Sequence, residues 1–198
     1  MTGANSPATC NASPTKPSRE SIDPASTAKL ETLSRTVSLG RREGKAMDER
    51  GLLEDYVSGG KLMQLSTIAE DGSPRVCSVW YLPRFGPDTL HFISRTDREH
   101  SRNISRNPAV AGAIIDIPIV ELGQVARGVS FTGVARELPG VGIEELAKDF
   151  AARWPNATGV LRAMPNAASR LYEIAVTEWV LFDEENFRPS PRRIIKGL

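Results

Sequence analysis

The chain has 198 residues, with 25 basic side chains against 24 acidic ones and a net charge of +1. That length holds one ordinary domain with a sizeable core rather than two, and the near balance of charge gives no field that would draw nucleic acid or a membrane surface. The two cysteines, Cys10 and Cys77, lie too far apart to suggest a disulfide framework or metal knuckle. No apolar run approaches a membrane span or a secretion signal, so a soluble, cytoplasmic protein is expected.

Residues 1–46 are rich in Ser, Thr, Pro, Ala and Gly and poor in aromatics. Such a stretch buries too little apolar surface to offset the entropy of ordering it, and it reads as a disordered tail. Leu30, Leu33 and Val37 fall at helical spacing within it, enough for a transient helix only. Met47 stands directly before the first strong helix signal, behind Arg42-Glu43-Gly44-Lys45, which a purine-rich run can encode. It is therefore expected to serve as an alternative start.

From Asp48 to Val57, Leu52, Leu53, Tyr56 and Val57 make one apolar helical stripe that Gly59-Gly60 stops. Strands are predicted at 62–69 and 74–82, joined by a Glu70-Asp71-Gly72-Ser73 hairpin turn in which Gly accepts positive φ. A loop over 83–88 leads to a third strand at 89–94. A short helix follows, with Thr96 and Glu99 matching a capping box and Asn107-Pro108 ending it. Residues 109–117 form a nearly continuous apolar run, which predicts a strand buried on both faces. A long strand is predicted over 124–138, with Gly128 and Gly133 as bend points, then an amphipathic helix over 143–154 and a Pro/Asn/Ala loop. The last predicted strand spans 171–182, and 188–198 reads as a basic tail after a domain covering 47–187. Hairpin-linked strands with few helices must close on themselves or pack on a second sheet, and the predicted architecture is a mainly β, six-stranded antiparallel Greek-key barrel.

The stretches STIAEDGSPRVCSVWY, HFISRTDREHSRNISRNPAVAGAI, ARGVSFTGVAREL and LYEIAVTEWVLFD, taken in this order, resemble the successive motifs of the pyridoxamine-phosphate-oxidase-like split barrels. The resemblance covers about residues 48–187 and implies a homodimer with two flavin sites at its interface. It places the FMN ring along the second strand, at Arg75, Val76, Cys77 and Ser78. The phosphate falls at the end of the third strand and the start of the next helix, where Ser94, Thr96, Arg98 and His100 can donate. That placement agrees with the affinity of a helix start for anions. The sequence departs from the family at Glu99-His100, where a basic pair is usual. F420 and haem are the alternative cofactors.

Arg127 reads either as a residue reaching the partner's cofactor or as half of a surface ion pair. His91 reads as a strand-face histidine, Cys77 as a small apolar packing residue, and Trp80 and Tyr81 as barrel core or rim. Trp154 and Trp179 read as packing residues. Two histidines without clustered Cys or carboxylates give no zinc site. The implied activity is an FMN-dependent oxidoreductase acting on a small organic substrate. The rival reading is a non-catalytic flavin, deazaflavin or haem binder on the same barrel.

Overall fold

The structure, a computed structural model, describes residues 48–115, 117–118, 120–164 and 167–198. The expected tail with its helical patch, Cys10 and the Met47 start lie outside these residues.

Helix α1 (Glu49–Gly59) begins where the Asp48 carboxylate accepts from the Gly51 N–H, and it buries Leu53 and Val57. Gly60 ends it, its N–H donating to the Tyr56 carbonyl. Strands β1 (Leu62–Ile68) and β2 (Pro74–Arg84) pair antiparallel across a turn in which Gly72 takes φ +79° and the Asp71 carboxylate accepts from the Ser73 N–H. Strand β3 (Thr89–Arg95) returns along β2, helix α2 (Glu99–Arg106) plugs one barrel end, and β4 (Ala109–Ile114) and β5 (Arg127–Glu137) follow. Helix α3 (Glu144–Arg153), a single 3-10 turn (Pro155–Ala157) and helix α4 (Thr158–Ala163) precede the fifteen-residue β6 (Ser169–Asp183) and the final β7 (Arg192–Lys196).

The strand order is β3-β2-β1-β4-β5-β6-β7, and pairing of β3 with β6 closes the first six strands into a barrel. Closure removes most of the free edge that an open antiparallel sheet would expose. Long β6 serves three neighbours by bending. Between Thr132 and Gly133 the register with β5 shifts, and Thr177 is the extra residue on β6. A Cβ on Gly133 would lie 2.6 Å from the Ala175 carbonyl oxygen, so this close approach requires glycine.

Two apolar clusters hold the fold. One fills the barrel, with Met63, Leu65, Phe92, Phe131, Ile174 and Trp179 among its members and α1 covering it through Leu53 and Val57. The other packs α3 and α4 on the outside of β2, β3 and β6 through Leu82, Leu146, Phe150, Met164 and Leu171.

Several expectations need correction. Strand β4 stops at Ile114 and is buried on one face only, because its apolar character comes from small residues and its outward Ala109 and Ala111 are exposed. Gly128 pairs regularly with Phe182, so the bend is confined to Gly133. The predicted Pro/Asn/Ala loop contains α4, whose Leu161 packs against the outer cluster. The basic tail contains β7, in which Arg193 and Ile195 face inward, Ile195 packing on the main core, while Arg192, Ile194 and Lys196 face outward, a period of two that is easily missed over five residues. Among the described residues no helix is long and apolar enough to cross a membrane.

Candidate cofactor site in the split of the barrel

Strand β2 pairs with β1 from Pro74 to Trp80, but with β3 only from Tyr81 to Arg84. The last residues of β3, Ile93 to Arg95, pair with β6 instead. The β3-facing edge of β2 from Pro74 to Trp80 therefore has no strand beside it, and every second peptide there turns polar groups toward an open split. Val76, Ser78 and Trp80 face outward from this stretch and are exposed, Val76 at 67% and Trp80 at 57%. Cys77 faces the barrel and is half-buried. Burial, then Glu99, pushes its thiol above the ordinary range, which keeps it protonated and unsuited to nucleophilic work.

At one end of the split stands the start of α2. The expected capping box is absent: Arg98 is the N-cap and no side chain caps the helix. Glu99 is the first helical residue rather than the third, so it cannot close a capping box, and its Oε1 accepts from Arg75 Nε at 3.1 Å. Arg75 also lies 3.7 Å from Asp71. Arg95 is held by Asp97 through two hydrogen bonds, and Arg102 donates to the Asp97 carbonyl. Among the described residues Arg98 has no ion pair.

Beneath this start, Ser94 is buried, and its Oγ lies 2.7 Å from His100 Nε2 and accepts from the Ser101 hydroxyl at 3.1 Å. Burial, then neighbouring Arg98, lowers the His100 pKa, so the ring is neutral at neutral pH and can either donate or accept. Asn103, also buried, donates to Thr67 Oγ1 at 3.1 Å and ties α2 to β1. Ser101 and Asn103 escaped the sequence reading, since polar residues on a short helix give no outward sign of burial.

The structure thus gathers Arg75, Ser94, Thr96, Arg98 and His100 at one barrel end, with Val76, Cys77 and Ser78 leading away along β2. It does not bring Arg127 there. Arg127 opens β5 at the other end, opposite Asp183, 3.6 Å from Glu185 and 5.7 Å above the Tyr56 ring. The far end of the split opens on an apolar cleft of about 420 Å³ bounded by Trp80, Ile93, Phe150, Trp154 and Val160.

His91 is buried and lies 3.2 Å from Glu173, which also accepts from Arg136. Burial, against the pull of Glu173, lowers the His91 pKa. No group of three or more His, Cys, Asp or Glu suited to a metal occurs among the described residues.

A six-strand barrel split along β2, with an uncapped helix start at one end of the opening, defines the split-barrel class. The family model for pyridoxamine 5'-phosphate oxidase matches residues 52–183, and the chain belongs to that family. No curated protein matches. Solved structures share the fold at low identity. Campylobacter jejuni ChuZ is 12% identical with TM-score 0.63, over 89% of this chain and 70% of that one. HutZ, the haem storage protein of Vibrio cholerae, is 16% identical with TM-score 0.54, over 66% and 91%. A haem binding protein from Mycobacterium smegmatis is 18% identical with TM-score 0.56, over 72% of this chain and 55% of that one.

Proposed function

We propose that this chain binds FMN in the split and acts, as a homodimer, as an oxidoreductase on a small organic substrate. The observation that carries the reading is the uncapped start of α2 beside an arginine with no ion pair. Free N–H groups, the positive end of the helix dipole and the Arg98 guanidinium together suit a phosphate. Ser94, Thr96 and His100 supply further donors. The open edge of β2 at Arg75 to Ser78 offers backbone donors and acceptors to the polar rim of a flat heterocycle. The bound flavin supplies two-electron chemistry, while the chain positions it and limits water at its face.

Glu99 bears on this fit. Paired with Arg75, it leaves Arg98 free but holds a second cation away from the anion. Arg98→Ala is therefore expected to weaken FMN by about 1.5 to 3 kcal/mol, the scale of a charge-assisted hydrogen bond. Glu99→Lys should tighten it by releasing Arg75 and removing a repulsive charge. Titration of cofactor-free protein followed by flavin fluorescence measures both, and unchanged affinity in both variants would move the phosphate elsewhere.

Haem is the second reading, favoured by the names of two similar structures, whose likeness extends to the fold alone. The chain has two histidines. His91 is buried against Glu173 and His100 is engaged with Ser94, so an axial histidine would have to be His100 with that bond broken. The visible spectrum of the purified protein separates the cases: FMN gives two bands in the blue and near ultraviolet, haem a single intense Soret band, and F420 one band between them. A Soret band lost in His100→Ala would replace the flavin reading.

Association as a dimer has its own support. Leu62, Val76 and Val134 stand exposed on the outer barrel face, among small outward residues such as Ala111 and Ser66. Such a face suits a flat, self-complementary contact. Light scattering after size exclusion should give about twice the chain mass, and a monomer at micromolar concentration would count against it.

A further inference from the structure

The apolar cleft at the far end of the split is built unlike the polar end. We propose that it is a separate binding site for an uncharged, fused-ring aromatic molecule. Its floor is Phe150, 2% exposed, and its walls are Trp80 and Ile93 from the barrel and Trp154, Ala157 and Val160 from the helical excursion. The volume, about 420 Å³, falls in the range of small-molecule sites.

Two features fix the ligand class. The first is charge: among the described residues no ionisable side chain lines the cleft, and its polar side chains are Ser78 and Asn156. The Ser78 hydroxyl is already engaged with the Gln64 amide. A charged ligand would shed its hydration here without a partner, at a cost that an uncharged ring avoids.

The second feature is the pair of indoles. Trp154 is fixed: its Nε1–H donates to the Tyr81 carbonyl at 2.8 Å, and the Arg153 guanidinium lies 5.2 Å over its ring. Arg153 is held in turn by bonds to the Tyr81 and Ser58 carbonyls. Trp80 meets Trp154 edge to face at a centroid distance of 4.8 Å and 75°, yet remains 57% exposed. A rigid indole beside an exposed one offers an edge and a face to a flat ring, the arrangement aromatic pairs prefer. Ligand burial would also cover the exposed apolar surface of Trp80.

The cleft shares Ser78, Val79 and Trp80 with the open strand edge. A molecule in it therefore lies beside any ring held along β2, in the position of the organic substrate. That last step rests on the flavin reading; binding to the cleft does not.

The test uses the full chain and 2-naphthol, with 2-naphthalenesulfonate as the charged control. Of the three tryptophans, 2-naphthol should shift the indole N–H signals of Trp80 and Trp154 in the NMR spectrum and spare Trp179, which is buried on Asp88. Trp80→Ala, an exposed position, should weaken binding about tenfold, equivalent to about 1.4 kcal/mol. Val160→Asp should weaken it further, and the sulfonate should bind poorly to the unaltered protein. Equal binding of both compounds, or a shift of Trp179 instead, would overturn the proposal. Repeating the titration with FMN present separates the two readings. Simultaneous binding supports two sites, whereas competition assigns the cleft to the flavin ring and overturns a separate site. Binding of 2-naphthol by a chain that takes no FMN leaves the cleft standing and the flavin reading refuted.

Discussion

Replacing Asp88 by Ala is expected to cost about 3 to 5 kcal/mol of folding stability, the scale seen when one partner of a buried charge pair is removed. The Asp88 side chain has no exposure, and it receives Arg50 Nη1 at 2.8 Å, a second close bond from Arg50 Nη2, and the Trp179 indole N–H at 2.7 Å. The Leu198 N–H approaches it at 3.4 Å. Its backbone N–H donates to the Leu198 carbonyl and its carbonyl accepts from Val176, so one residue joins α1, the bend of β6 and the C-terminal segment. Alanine would leave the buried Trp179 indole N–H without its acceptor and the Arg50 guanidinium with Glu54 as its remaining partner. Asp88→Asn keeps the shape and one acceptor and should lose less. Urea unfolding of the three proteins at pH 7 measures the order.

The same site sets a pH dependence whose sign can be worked out. Burial alone would raise the Asp88 pKa, but hydrogen bonds from Arg50 and Trp179 outweigh it, and the folded carboxyl lies below its ordinary value. A depressed pKa contributes stability that is complete above the unfolded value, about 4 for an aspartate, and is lost as pH falls through the folded value. The stability gap between the natural chain and Asp88→Ala should hold from pH 7 to about 5 and narrow below about pH 4. A gap that widened on acidification would mean Asp88 is protonated in the native state.

Asp88 also marks where sequence reading stops. It sits in the stretch read as a loop between strands, and nothing in its neighbours announces that Arg50, 38 positions away, and Trp179, 91 positions away, converge on it. Local signals served well where structure is local. The Asp-Gly turn, the glycine stop of α1 and the strand that follows each depend on a few adjacent residues, and all are present. The capping box is local in form but fails because the helix begins two residues later than Thr96 implies, with Arg98 as its cap and Glu99 as its first residue. The gathering of Ser94, Thr96, Arg98 and His100 was legible, as they lie within seven residues. The aromatic cleft was not, since Trp80, Phe150 and Trp154 meet only once α3 has packed on the barrel. In sequence its tryptophans read as packing residues or rim, which is what isolated aromatics most often are.

Gly112→Val is the other substitution expected to act strongly, and it probes β4, the strand buried on one face only. Gly112 pairs with Leu65 on one side and Phe131 on the other, facing the barrel interior. A Cβ there would meet Phe131 Cζ at 2.4 Å and the Gln64 backbone oxygen at 2.5 Å. The Phe131 ring cannot retreat freely, since it packs against Trp179 at a centroid distance of 5.8 Å, and the Gln64 oxygen belongs to the neighbouring strand. Valine must therefore part β4 from β1 or displace the central aromatic pair, and either should cost about 3 kcal/mol, the upper part of the range for overpacked cores. Gly128→Ala is the matched control on the adjoining strand: its nearest contacts would be the Ile114 carbonyl oxygen at 3.2 Å and Ile115 Cγ1 at 3.7 Å, so a small shift accommodates it. The predicted pair of results is a denaturation midpoint well lowered in Gly112→Val and little changed in Gly128→Ala. Because β1 carries β2 at its other edge, the Gly112 variant should also weaken any ligand bound along β2, beyond what its folded fraction explains. Equal, small effects in the two variants would show that the barrel yields at β4, and that its small residues answer to the outer face rather than to Phe131.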